Sequence, residues 1–178
     1  MGSAKENICR LKYSSAVGDM EYFNSSFDKG IMRVAYANDN RNKSDIPKEA
    51  FERNIFSAAN CPIVCNYDRE TNSIGGHDVA FVAGEGGKLK LVNLTQPVGI
   101  VPESANYWWE EVTEKDGKIH EYLCIEVLIW KRQEAYRKIK ENGVTDQSME
   151  ISVKNSETID GICHIKDFEF LAFCLLGN

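Results

Sequence analysis

Period-two alternation dominates this chain, and a chain patterned that way must bury strand faces rather than helix stripes. Between Tyr122 and Trp130, the residues Tyr122, Cys124, Glu126, Leu128 and Trp130 share one face, while Leu123, Ile125, Val127 and Ile129 share the other. In the stretch from Gln147 to Val153, Met149, Ile151 and Val153 oppose Ser148, Glu150 and Ser152. Further strands are predicted over 31–37, 61–67, 77–83, 88–93, 107–113 and 119–130, with one or two more within 162–176. Residues 84–87 read as a tight connection and 115–118 as a hairpin turn. Two stretches read as helices. Residues 47–59 open on Pro47 and carry Ala50, Phe51, Ile55, Phe56 and Ala58 as an apolar stripe; residues 131–141 close on an Asn142-Gly143 stop signal. The predicted fold class is α+β with β predominant: a curved sheet or partly closed barrel with two or three packed helices. One domain is expected over 1–178, with 1–30 as a less ordered N-terminal segment.

Composition narrows the function. Asp and Glu total 27 against 21 Lys and Arg, a net charge of −6. Nucleic acid is therefore not an expected partner, because neutralising phosphates takes a basic surface. The longest apolar run, Phe170 to Leu176, has the length of a strand and not of a membrane span, and no membrane association is expected. The N-terminus shows no apolar export region, and Glu6 stands where a myristoylation signal requires Ser or Thr. The stop just after an apolar strand reads as truncation or processing.

Six cysteines stand at 9, 61, 65, 124, 163 and 174. Reduced thiols are expected, and Cys124, Cys163 and Cys174 fall in apolar strands where Cys acts as a small hydrophobe. Cys61, Cys65 and the pair Cys163-His164 carry a zinc alternative, against which the lack of CxxC spacing argues. No cofactor or metal is predicted. Phosphate-loop, dinucleotide and HExxH motifs are absent from the sequence.

With only three histidines, at 77, 120 and 164, the search for a general base is short. His77 follows Gly75-Gly76 at the mouth of a strand, where the glycines leave room around an imidazole; the plainer alternative is a turn histidine. Ser148 begins a strand on its polar face, and a serine on rigid sheet is better positioned than one on a loop; polar strand faces also carry Ser routinely. Glu126 is a carboxylate among apolar neighbours, so burial would raise its pKa unless a partner favours the ion. It could orient an imidazole or pair with Arg or Lys on the following helix. Trp108 and Trp109 point to opposite faces, one for the core and one for a subunit contact.

Gly76-His77-Asp78, Gln96-Pro97-Val98-Gly99, the strand from Tyr122 to Trp130, Ser148-Met149-Glu150-Ile151-Ser152-Val153 and Lys166-Asp167-Phe168-Glu169-Phe170 leading to Leu175-Leu176-Gly177 together resemble the tailed-phage prohead proteases. These head-maturation serine proteases are related to the herpesvirus assemblins. The resemblance spans roughly residues 60 to 177 and implies an assemblin-like fold. It implies a serine endopeptidase inside the prohead, in the bacterial host cytoplasm, that cuts scaffold and major capsid proteins and itself, and works as a homo-oligomer. By position His77 matches the general base and Ser148 the nucleophile. The third group varies in the family: His164 occupies a place comparable to the second histidine of assemblins, and Glu126 is the best-placed acidic candidate. Asp78 is adjacent to His77 and expected to face away from its ring. Glu150 shares the Ser148 face and is a weaker candidate, for substrate contact. The paired arginines that assemblins use near the oxyanion are missing, which leaves the oxyanion donors unassigned. The rival reading is a non-enzymatic β-rich phage structural protein, a tube or capsid subunit, in which His77 and Ser148 are incidental.

Overall fold

The computed structural model describes residues 8–13, 17–40, 42–83, 89–114, 116–142 and 146–177. The predicted 84–87 connection, Lys115 of the hairpin turn and Gly143 lie outside them. In chain order the elements are β1 (Ile8–Tyr13), β2 (Val17–Tyr22), β3 (Phe27–Tyr36), β4 (Asn38–Asp39), β5 (Ser44–Ile46), α1 (Lys48–Asn54), β6 (Pro62–Cys65), β7 (Tyr67–Asp68) and β8 (Ser73–Ile74). They continue as β9 (Val79–Ala83), β10 (Leu89–Asn93), β11 (Gln96–Ile100), β12 (Tyr107–Thr113), β13 (Ile119–Trp130), α2 (Tyr136–Asn142), β14 (Asp146–Ile159) and β15 (Ile162–Leu176).

A large mixed sheet runs in the order β1-β14-β15-β6-β11-β13-β3-β2, with β12, β4 and β5 attached beside it. Most neighbours are antiparallel; β15 pairs in parallel with β6 and β5. The sheet does not close into a barrel: β1 and β2 lie at opposite ends of the path. It does curl strongly. The buried Gln147 of β14 donates from its amide to the carbonyl oxygens of Arg33 and Val34 on β3, although five steps of the path separate those strands. The expectation of a curved sheet thus describes the molecule better than the barrel alternative.

The strand expectations hold where alternation is long. β14 extends further than its 147–153 pattern, while β15 fills the predicted 162–176 as a single strand, and the two pair from Asp146↔Leu176 to Ile159↔Ile162 as one long hairpin. Beyond Val153 the β14 residues are exposed or nearly so, so no buried face marks the extension in the sequence. Residues 8–13 and 17–22, within the stretch read as less ordered, form β1 and β2. The first helix is shorter than predicted: after Asn54 it tightens into a 3-10 turn over Ile55–Ala58. The second starts only at Tyr136, after turns at 131–135.

The core lies against one face of the sheet, under α1. Phe51 of α1 meets Phe168 edge-on at 5.5 Å and Trp109 at 6.0 Å, and Phe168 and Phe173 flank Phe170. Such edge-to-face pairs add about 0.5–1.5 kcal/mol each beyond area burial. Trp109 is thus a core residue on one side, while Lys48 covers its ring at 4.6 Å. All six cysteines are free. Burial pushes the thiols of Cys65, Cys124 and Cys174 up to about 12 and that of Cys61 to about 11. Thiolate is the reactive form. Ellman's reagent at pH 8 is therefore expected to leave these four unmodified in the native protein and to titrate them only after unfolding; rapid native reaction of all six would show that the core is not packed as described.

Candidate active site

Ser148 stands near the start of β14, directly across from Cys174 of β15, and is 1% exposed. Its hydroxyl makes no hydrogen bond among the described residues. Alternation puts Glu150 on the same face, one cross-strand row along, opposite Arg10 on β1 and Ala172 on β15. Immediately after this row the β14–β15 register slips, so that Ile151 faces Phe170. A bulge beside a site is a common way to re-aim a side chain.

His77 reaches this row from the loop between β8 and β9. Its Nδ1 lies 3.2 Å from Glu150 Oε1, and the two side chains are 21% and 18% exposed. Its Nε2 is shielded from solvent and has no hydrogen-bond partner among the described residues. An ionised carboxylate only accepts, so the 3.2 Å contact with Glu150 favours the imidazole proton on Nδ1, which leaves Nε2 as a lone-pair acceptor. The same Oε1 accepts from Arg10 Nε at 3.0 Å. The hydrogen bond from His77 and the Arg10 charge hold the Glu150 carboxyl below the usual range, against the opposing pull of burial. A cavity of about 180 Å³ opens here; Arg10, His77, Asp78, Asn93, Thr95 and Glu150 contribute to its walls.

The loop that carries His77 is held from three directions. The Asp78 carboxylate accepts from Asn66 Nδ2 at 2.7 Å and from the Gly76 N–H at 3.1 Å. Gly75 donates to Asn66 O at 2.8 Å; a Cβ there would stand 2.8 Å from Asp78 Oδ2, which explains a glycine at this point. The Gly177 N–H donates to Gly75 O at 3.1 Å, and a Cβ on residue 177 would overlap the Ile74 carbonyl.

The other two predicted site residues stand elsewhere. Glu126 accepts from the Asn106 N–H at 3.1 Å, the Asn106 amide at 2.9 Å and Lys29 Nζ at 3.1 Å. These bonds, the Asn106 N–H foremost, lower its pKa despite burial, and its cation comes from strand β3 rather than from the following helix. His164 bonds Asp45 at 2.8 Å. It is eight residues from Ala172 along β15, about 26 Å of strand at roughly 3.3 Å per residue. Neither group of contacts includes His77. The sequence did carry a signal for Glu150, its place two positions from Ser148 on one strand face; Arg10 carried none, because nothing local pairs β1 with β14.

A family model matches residues 26–178 and is described as the YonD N-terminal domain. The chain belongs to the YonD N-terminal domain family. The matched region holds His77, Ser148 and Glu150 and begins after β1 and β2. Among solved structures, this YonD-type chain is similar to the capsid assembly protease of bacteriophage T4, with a TM-score of 0.56, 11% identity and 98% of each chain covered. At that identity the likeness shows a shared fold. No curated protein matches the sequence. No helix of the described residues is long and apolar enough to cross a membrane.

Proposed function

We propose that this YonD-family chain is a serine endopeptidase of the phage prohead that cleaves scaffold and capsid proteins, and itself, during head maturation. Kinship with the assemblins and action as a homo-oligomer inside the prohead belong to the same reading. The observation that carries it is the 3.2 Å contact of His77 Nδ1 with Glu150, two residues along the Ser148 strand face. Ser148 is the nucleophile, His77 the base, and Glu150, in place of Glu126 or His164, the carboxylate that orients the imidazole. The likeness in fold to a phage capsid assembly protease supports the substrate class.

In the proposed reaction Ser148 Oγ attacks a peptide carbonyl while His77 Nε2 takes the hydroxyl proton. Collapse of the tetrahedral intermediate breaks the C–N bond, and His77 returns that proton to the leaving amine. Water then hydrolyses the acyl-serine by the same base. Glu150 stabilises the transient imidazolium without taking its proton.

Treatment with a fluorophosphonate probe followed by peptide mapping tests the reading. A single adduct on Ser148, absent after His77→Ala, is expected. Absence of any adduct on Ser148, in both the isolated chain and assembled proheads, would move the chain to the structural-subunit alternative.

A further inference from the structure

We propose that Arg10 is a positioning residue of this site, so that the N-terminal edge strand, outside the family-matched region, completes the orientation of His77. The inference rests on the catalytic reading of His77 and Glu150. Its geometric basis is that Arg10 and His77 share one oxygen. Arg10 Nε lies 3.0 Å and His77 Nδ1 3.2 Å from Glu150 Oε1.

Glutamate has three rotatable side-chain bonds, and one contact with a loop histidine does not fix them. Arg10 supplies a second point of attachment from the opposite strand. Its backbone is paired directly across from Glu150, and β1 follows β14 residue for residue from Ile8↔Ser152 to Tyr13↔Gln147 without a register shift. The guanidinium therefore arrives on rigid sheet. On the other flank of Glu150 the β14–β15 ladder is bulged, so that side gives the carboxylate less support. Arg10 also lines the same cavity as His77 and Glu150.

Half of the Arg10 side chain is exposed, and such a pair contributes little to stability. Its contribution here is directional. With the carboxylate held, the neutral imidazole keeps its proton on Nδ1 and presents Nε2 as a base. With the carboxylate free to swing away, the imidazole relaxes toward the Nε2–H form, which cannot accept the serine proton.

The experiment has a spectroscopic arm and a kinetic arm. In ¹⁵N-labelled protein, with His77 resonances assigned by substitution among the three histidines, Arg10→Ala is expected to lower the Nδ1–H population of His77, and Arg10→Lys to restore part of it. Using an autocleavage-site peptide as substrate, Arg10→Ala is expected to reduce kcat about tenfold with KM unchanged, again with partial recovery in Arg10→Lys. Unchanged tautomer populations in Arg10→Ala would overturn the inference and make Arg10 an ordinary surface ion pair. A wild-type protein with no Ser148-dependent cleavage, but with the tautomer shift present, would overturn the catalytic reading while leaving the orientation of His77 by Arg10 demonstrated.

Discussion

Ser148→Ala is expected to reduce scaffold and self-cleavage by roughly a million-fold, the scale seen when a serine protease loses its nucleophile. The variant should fold, because the substitution removes one hydroxyl that makes no hydrogen bond among the described residues. Glu150→Gln should cost less, between about 10² and 10⁴ in kcat, because an amide at that position removes the charge that stabilises the imidazolium and no longer compels the Nδ1–H tautomer. Glu126→Gln and His164→Ala, whose contacts are Lys29, Asn106 and Asp45, should leave kcat within a few-fold of wild type. Single-turnover assays with peptide, beside thermal melts of each variant, separate chemistry from folding. A Glu126→Gln loss that matched Glu150→Gln would put the third group elsewhere than proposed.

The largest expected effect on stability lies away from this site, at Asp28. Its side chain is 2% exposed and accepts from Lys131 Nζ and Lys140 Nζ, each at 2.8 Å, and from the Tyr136 hydroxyl at 2.6 Å. These groups come from α2 and the turn before it, so one carboxylate ties the second helix to β3. Burial alone would raise its pKa; the two lysines and the tyrosine outweigh that and hold it far below the ordinary carboxylate range. Removing one member of a buried pair costs about 3–5 kcal/mol, and Asp28→Ala should fall near 3 because Lys140 can turn to solvent. For a chain of this size that lowers Tm by about 6–12 °C.

Because the native pKa of Asp28 is depressed, its contribution is fully present above the unfolded carboxylate value near 4 and is lost as pH falls below it toward the native value. Asp28→Asn should flatten the acid limb of the stability curve between about pH 4 and 2. An unchanged acid limb would mean that other carboxylates govern acid unfolding.

Alternation made the strand at Gln147 to Val153 legible because Met149 and Ile151 mark one apolar face, but it gave no sign that Gln147, Ser148 and Ser152 are buried as well. It failed for β1 and β2, whose placement is decided by long-range pairing with β14 and β3. The same division runs through the site. Ser148 and Glu150 lie on one strand, and their shared face was readable; that His77 closes on Glu150 depends on a loop fixed by Asn66, Asp78 and a residue near the opposite end of the chain. The expectation that Asp78 faces away from His77 assumed strand alternation, whereas residues 77 and 78 both precede β9. Glu126 looked unpaired because its partners, Lys29 and Asn106, are 97 and 20 positions distant.

The hydrogen bond from Gly177 to Gly75 has a temporal consequence. During synthesis the contacts of the imidazole-bearing loop with Asn66 and Asp78 can form first, and the brace from residue 177 is the last to be added.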